Sequence, residues 1–154
     1  MNKVKSAKEA IGQLEDGMTI GIGGWGPRRK PMALVREILR TNLNDLTLVS
    51  YGGADVGMLC ADGRVSKLIF AFVSLDFIPL EPFFRQARQS GKLDVLEIDE
   101  GMMLQGLRAA AWRIPFIPTA VGLGTDIVEK TSEIKIINSP YDDKEWVAMP
   151  ALEL

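Results

Sequence analysis

The sequence has no histidine and a single cysteine, Cys60, among its 154 residues. Without imidazole there is no Ser-His or Cys-His nucleophile pair and no histidine metal ligand. Proton transfer within this chain therefore falls to carboxylates, lysine, tyrosine or cysteine. One thiol excludes an internal disulfide and a cysteine-rich zinc cluster, and it fits a reducing compartment. No bound metal is expected. No run of about 18 apolar residues occurs, and the opening MNKVKSAKEAIGQLEDG lacks the apolar core of a signal peptide, so a cytoplasmic protein is expected. Basic excess is also missing. With a net charge of −2 and a pI near 5.2, no global field favours nucleic acid, and Arg28, Arg29 and Lys30 form only a local patch.

What is present suits one α/β domain spanning residues 1–154, with 47% hydrophobic and 25% charged residues and no linker, repeat or low-complexity tract. The most informative stretch is TIGIGGWGPRRKPMALVREILR, residues 19–40. It reads as a strand over 19–22, a glycine turn, a basic cluster and a helix opened by Pro31 at N1 and closed by Arg40. A strand feeding a glycine turn and then a helix puts backbone N–H groups at one edge of a sheet, where α/β folds bind anions.

Alternation continues along the chain. Residues 6–14 have helical spacing behind a Ser6 N-cap. Strands are expected over 46–50, 67–73 and 93–98, with a short helical piece through Leu59 and a helix opened by Pro79 and Pro82 that runs to Gln89. Residues 102–112 read as a helix with Met103, Leu104, Leu107 and Ala111 on its core face, and 114–126 as an ordered loop. Strands over 133–137 and 146–149 follow. Strands separated by helices predict an open, mainly parallel sheet flanked by helices. Cys60, Trp112 and Trp146 are read as packing residues. The last residues, VAMPALEL, are apolar and uncapped, which suggests part of a larger architecture.

Several segments in order carry a resemblance: GGWGPRRKPMALVREILR, YGGADVG, FVSLD and EGMMLQGLRAAAWRIPFIPTAVGLGTD. Together they resemble the alpha subunits of family I CoA-transferases, of the glutaconate CoA-transferase type. Closer still is the likeness to the alpha subunit of the related CoA-ester hydrolase of steroid-ring degradation. It covers about residues 18–154, matching the N-terminal half of such subunits. It implies a CoA-transferase-like, NagB/RpiA-type fold, partnership with a beta subunit, and an acyl-CoA thioester as substrate with no permanently bound cofactor. No nucleic-acid or membrane partner is implied.

In the transferases a glutamate of the beta-type sequence, in a Ser-Glu-Asn-Gly type motif, attacks the thioester, and this chain has no such motif. Its acidic turn, Asp99-Glu100-Gly101, is similar to the segment that places an essential glutamate in the steroid-ring hydrolase. Glu100 is thus the catalytic candidate, as a general base at a strand end expected to reach the same sheet edge. The bland alternative is stabilisation of the next helix by its charge, and Asp99 competes as N-cap. By the same resemblance Gly23, Gly24 and Trp25 line the cleft, and Gly52 and Gly53 let backbone approach the ligand. Arg28, Arg29 and Lys30 are candidates for a substrate carboxylate or CoA phosphate, with an arginine favoured. Ser74 either hydrogen-bonds substrate or caps its own turn. The readings in order are ring-cleaving hydrolase, CoA-transferase, and a non-catalytic ligand-sensing domain.

Overall fold

The structure, a computed structural model, describes residues 3–154. These divide into two compact units, one running to Val95 and including Leu154, the other Leu96–Glu153. The boundary falls inside a strand, between Val95 and Leu96.

The first unit starts with α1 (Ala7–Ile11), held by a capping box in which Ser6 accepts from the Glu9 N–H and the Glu9 carboxylate accepts from the Ser6 N–H. It stops well short of residue 14, because Gly12 already acts as C-cap. β1 (Thr19–Ile22), β2 (Leu46–Gly52) and β3 (Val65–Val73) pair in parallel, and with β4 (Asp94–Glu97) they form a sheet of order β1-β2-β3-β4. α2 (Met32–Leu39), α3 (Ala54–Ala61) and α4 (Pro82–Gln89) are the helices that follow β1, β2 and β3 in this unit. Pro31 stands as the N-cap of α2, one position earlier than expected, so Met32 is the first helical residue. β2 is buried along almost its whole length, as a parallel strand covered on both faces should be. Leu48 and Leu68, paired across β2 and β3, are both wholly buried.

Register matters at the carboxyl end of β2. Ser50 pairs with Phe70, but Gly52 pairs with Val73, so β3 carries one extra residue there. Such a bulge re-aims side chains, and Tyr51 and Phe72 lie at it.

The second unit contains α5 (Glu100–Trp112), β5 (Phe116–Thr119), α6 (Asp126–Lys130), β6 (Lys135–Asn138) and β7 (Glu145–Pro150). Three expectations are corrected here. The stretch read as a loop contains β5 and leads into α6. The last strands do not extend a parallel sheet: β5, β7 and β6 form a separate antiparallel sheet, with Phe116 opposite Pro150 and Lys135 opposite Ala148. The core face of α5 is Met102, Met103, Gly106 and Ala109, while Leu104 and Trp112 are exposed, Trp112 by 66%. Small residues explain the turned helix. A Cβ at Gly106 would come within 2.7 Å of the Leu152 side chain, so Leu152 and Met149 pack where larger residues could not fit.

Candidate active-site edge

Because β1, β2 and β3 are parallel, their last residues, Ile22, Gly52 and Val73, share one sheet edge. The segment after β1 folds back on itself: the Trp25 N–H donates to the Arg28 carbonyl (3.0 Å) and the Arg28 N–H to the Trp25 carbonyl (2.9 Å). Gly24 makes this possible with φ +107°, a conformation that favours glycine, and a Cβ there would lie 2.8 Å from the Arg28 oxygen. The Gly26 N–H then donates to the Tyr51 carbonyl (3.1 Å), laying the loop across the end of β2. Gly53 lies directly against it. A Cβ at Gly53 would collide with the Gly26 carbonyl and come within 2.8 Å of the Pro27 nitrogen.

Of the predicted residues, Gly23, Gly24, Trp25, Arg28, Arg29, Gly52, Gly53 and Ser74 all belong to this first unit. Arg28 lies at the surface in an ion pair with Asp76 (2.7 Å) and thereby joins the β1 loop to the β3 loop. Arg29 is exposed and takes a left-handed backbone, φ 57°. The Ser74 hydroxyl accepts from the Asp76 N–H (2.9 Å) and its own N–H donates to the Gly52 carbonyl (3.0 Å), so Ser74 shapes the turn.

Lys30 departs from expectation. Its side chain is fully inaccessible and pairs with the equally buried Asp55 carboxylate (3.0 Å) instead of facing a ligand. The ammonium also donates to the Ser50 hydroxyl (2.8 Å) and the Ile22 carbonyl (3.4 Å). The other Asp55 oxygen accepts from the Gly53 N–H (2.9 Å). Burial lowers the Lys30 pKa from its ordinary value, and the Asp55 charge opposes that shift.

Sequence reasoning singled out Trp25 but passed over its ring partners, Tyr51 and Phe72. Trp25 stacks on Tyr51 with ring centroids 5.1 Å apart and meets the edge of Phe72 at 5.3 Å. Trp25 remains 42% exposed, so the cluster forms an apolar wall beside the glycine loop. The adjacent YGG and FVS residues were the available signal, and the rings of Tyr51 and Phe72 meet at the register shift between β2 and β3.

In the second unit, Glu100 is the half-buried first residue of α5. The N-cap is Asp99, whose carboxylate accepts from the Gly101 N–H (2.7 Å), as the Asp99 alternative anticipated.

Cys60 packs on the core of the first unit, and burial, followed by the Glu81 and Asp55 charges, pushes its thiol up to about 12. It is protonated at neutral pH and unsuited to nucleophilic work. Labelling of native protein with iodoacetamide at pH 8 is expected to run at least ~10-fold slower than labelling of the urea-unfolded chain, where the thiolate forms normally. Equal rates would contradict the packing described for Cys60. Among the described residues, no group of three or more His, Cys, Asp or Glu residues is placed to hold a metal ion. Nor is any helix among them long and apolar enough to cross a membrane.

A parallel α/β sheet flanked by helices, with a glycine loop and an apolar wall at its carboxyl edge, defines an open α/β protein of the kind whose ligands, when it has them, sit at that edge. The chain belongs to the coenzyme A transferase family, whose pattern matches residues 4–154. It is 51% identical to the cholesterol ring-cleaving hydrolase IpdA subunit of Rhodococcus jostii, over 97% of this chain and 53% of that protein. One subunit of the glutaconate CoA-transferase of Acidaminococcus fermentans is 31% identical over 92% of this chain and 45% of its own length. The crystal structure of that transferase superposes with a TM-score of 0.87 at 28% identity, covering 97% of this chain and 53% of that one. The chain thus spans about half the length of the curated relatives it matches.

Proposed function

We propose that this chain forms part of the alpha subunit of a heteromeric enzyme that opens a ring of a steroid-derived cyclic β-keto acyl-CoA by adding water. The observation that carries the reading is the edge itself. The glycine loop is pinned across β2 by the Gly26 N–H and backed by Gly53, beside an apolar aromatic wall. An anionic thioester bearing an alicyclic group matches both features. The 51% identity to a ring-cleaving hydrolase subunit supports this substrate class over others.

In this reading Gly23, Gly24 and Trp25 line the cleft, and the backbone at Gly52 and Gly53 approaches the ligand. One of Arg28 and Arg29 binds a substrate carboxylate or CoA phosphate, and Ser74 supports the edge. Glu100 takes a proton from water as the oxygen adds to the ring ketone. The bond between that carbon and the thioester's α-carbon breaks, and its electron pair passes into the thioester enolate. Glu100 then returns the proton to the α-carbon, leaving a ring-opened carboxylate with CoA still attached. Coenzyme A enters as part of the substrate, and the beta subunit is the partner.

CoA transfer between carboxylic acids is the second reading, favoured by the fit to glutaconate CoA-transferase. There the nucleophilic glutamate belongs to the partner. The full-length protein, co-expressed with its partner subunit, separates the two. Ring cleavage gives a product heavier by one water that keeps its CoA. Movement of CoA onto an added carboxylic acid, with a borohydride-trappable glutamyl-CoA adduct, would replace the hydrolase reading by the transferase one.

A further inference from the structure

The reaction above makes no use of Lys30 or Asp55, yet both are charged and wholly buried. A buried ion pair rarely stabilises a fold more than apolar residues of the same volume, so stability alone explains it poorly. Its connections are more telling. Lys30 immediately follows Arg29, and Ile22 immediately precedes Gly23. The contact from the Lys30 ammonium to the Ile22 carbonyl therefore closes the seven-residue glycine loop at its base. The same ammonium reaches Ser50 on β2, and Ser50 itself donates to Asp55 (2.8 Å). Asp55 holds the Gly53 N–H, and Gly53 is the residue on which Gly26 rests. Three donors on one nitrogen thus meet acceptors from β1, β2 and α3, an arrangement no apolar side chain can reproduce.

We propose that Lys30 is a positioning residue: it closes the 23–29 loop and, through Asp55, holds Gly53 beneath Gly26, so that the loop is preformed for its ligand. Only the loop's part in acyl-CoA binding rests on the function proposed above; the positioning itself does not.

Hydrogen exchange and kinetics on the full-length protein with its partner subunit test this. Lys30→Met should lower Tm, because Asp55 is left buried and unpaired. The double variant Lys30→Met/Asp55→Leu removes both charges and should recover most of that Tm. In it the Gly26 and Gly53 amides should still exchange about 10-fold faster than in the parent. The KM for acyl-CoA should stay raised ~10-fold, with a smaller change in kcat. Recovery of amide protection together with Tm would overturn the proposal and leave the pair a purely structural one. Faster exchange with unchanged KM would uphold the positioning role and remove the loop from acyl-CoA binding. Should the double variant fail to fold, Lys30→Met is read for the same two amides: exchange about 10-fold faster than in the parent upholds the proposal, and parental protection overturns it.

Discussion

Replacing Glu100 by glutamine, in the full-length protein with its partner subunit, is expected to lower kcat for ring opening by about 10³-fold, the usual contribution of a positioned general base. Glutamine keeps the size and most hydrogen-bonding geometry of the side chain but cannot take a proton. Asp99 makes the α5 cap, so the helix start survives the change. The competing account, in which Glu100 merely favours the helix dipole, predicts a different result. On that account stability falls by roughly 0.3–1 kcal/mol and turnover is untouched. Single-turnover kinetics and urea denaturation on the same preparation decide between them, and unchanged kcat would remove Glu100 from the chemistry.

Gly53→Ala is expected to reduce kcat/KM by about 100-fold, since small misplacements of a binding element can cost that much. The added methyl meets the Gly26 carbonyl and the Pro27 nitrogen, which are backbone atoms and cannot swing aside as a side-chain tip would. The loop must lift, and the Gly26 N–H must leave the Tyr51 carbonyl. Overpacking of this kind costs about 1–3 kcal/mol, measurable as a lower urea midpoint. Gly23→Ala is the control: a Cβ there has nothing within 4 Å, so the same chemical change should leave stability unaltered. A Gly53→Ala enzyme with parental kcat/KM would show that the close approach at Gly53 has no bearing on catalysis.

Much of the edge was legible because it is local. A β-branched strand, a glycine turn and a proline-led helix occur in succession, and parallel pairing follows from the helices between strands. That logic located β1 at Thr19–Ile22 and put Gly23, Gly52, Gly53 and Ser74 at strand ends. It failed where partners are distant. In the antiparallel sheet, β5 and β7 join residues more than 25 positions apart, such as Phe116 and Pro150, and no local period encodes which strands meet. The face of α5 was misread because Gly106, which periodicity scores as neutral, is where Leu152 packs.

The sequence by itself determined the elements of the first unit, the absence of imidazole chemistry, the glycine loop and the family, since each depends on residue type and short spacing. Only the tertiary structure decided what the loop's cations do. Arg28, Arg29 and Lys30 are adjacent and alike in sequence. Lys30 turns inward because Asp55, from a helix 25 residues on, offers a buried carboxylate within 3.0 Å, while Arg28 stays at the surface with Asp76. Charge is a property of the residue, but the partner that neutralises it, and so its role, is set by which segments the fold packs together.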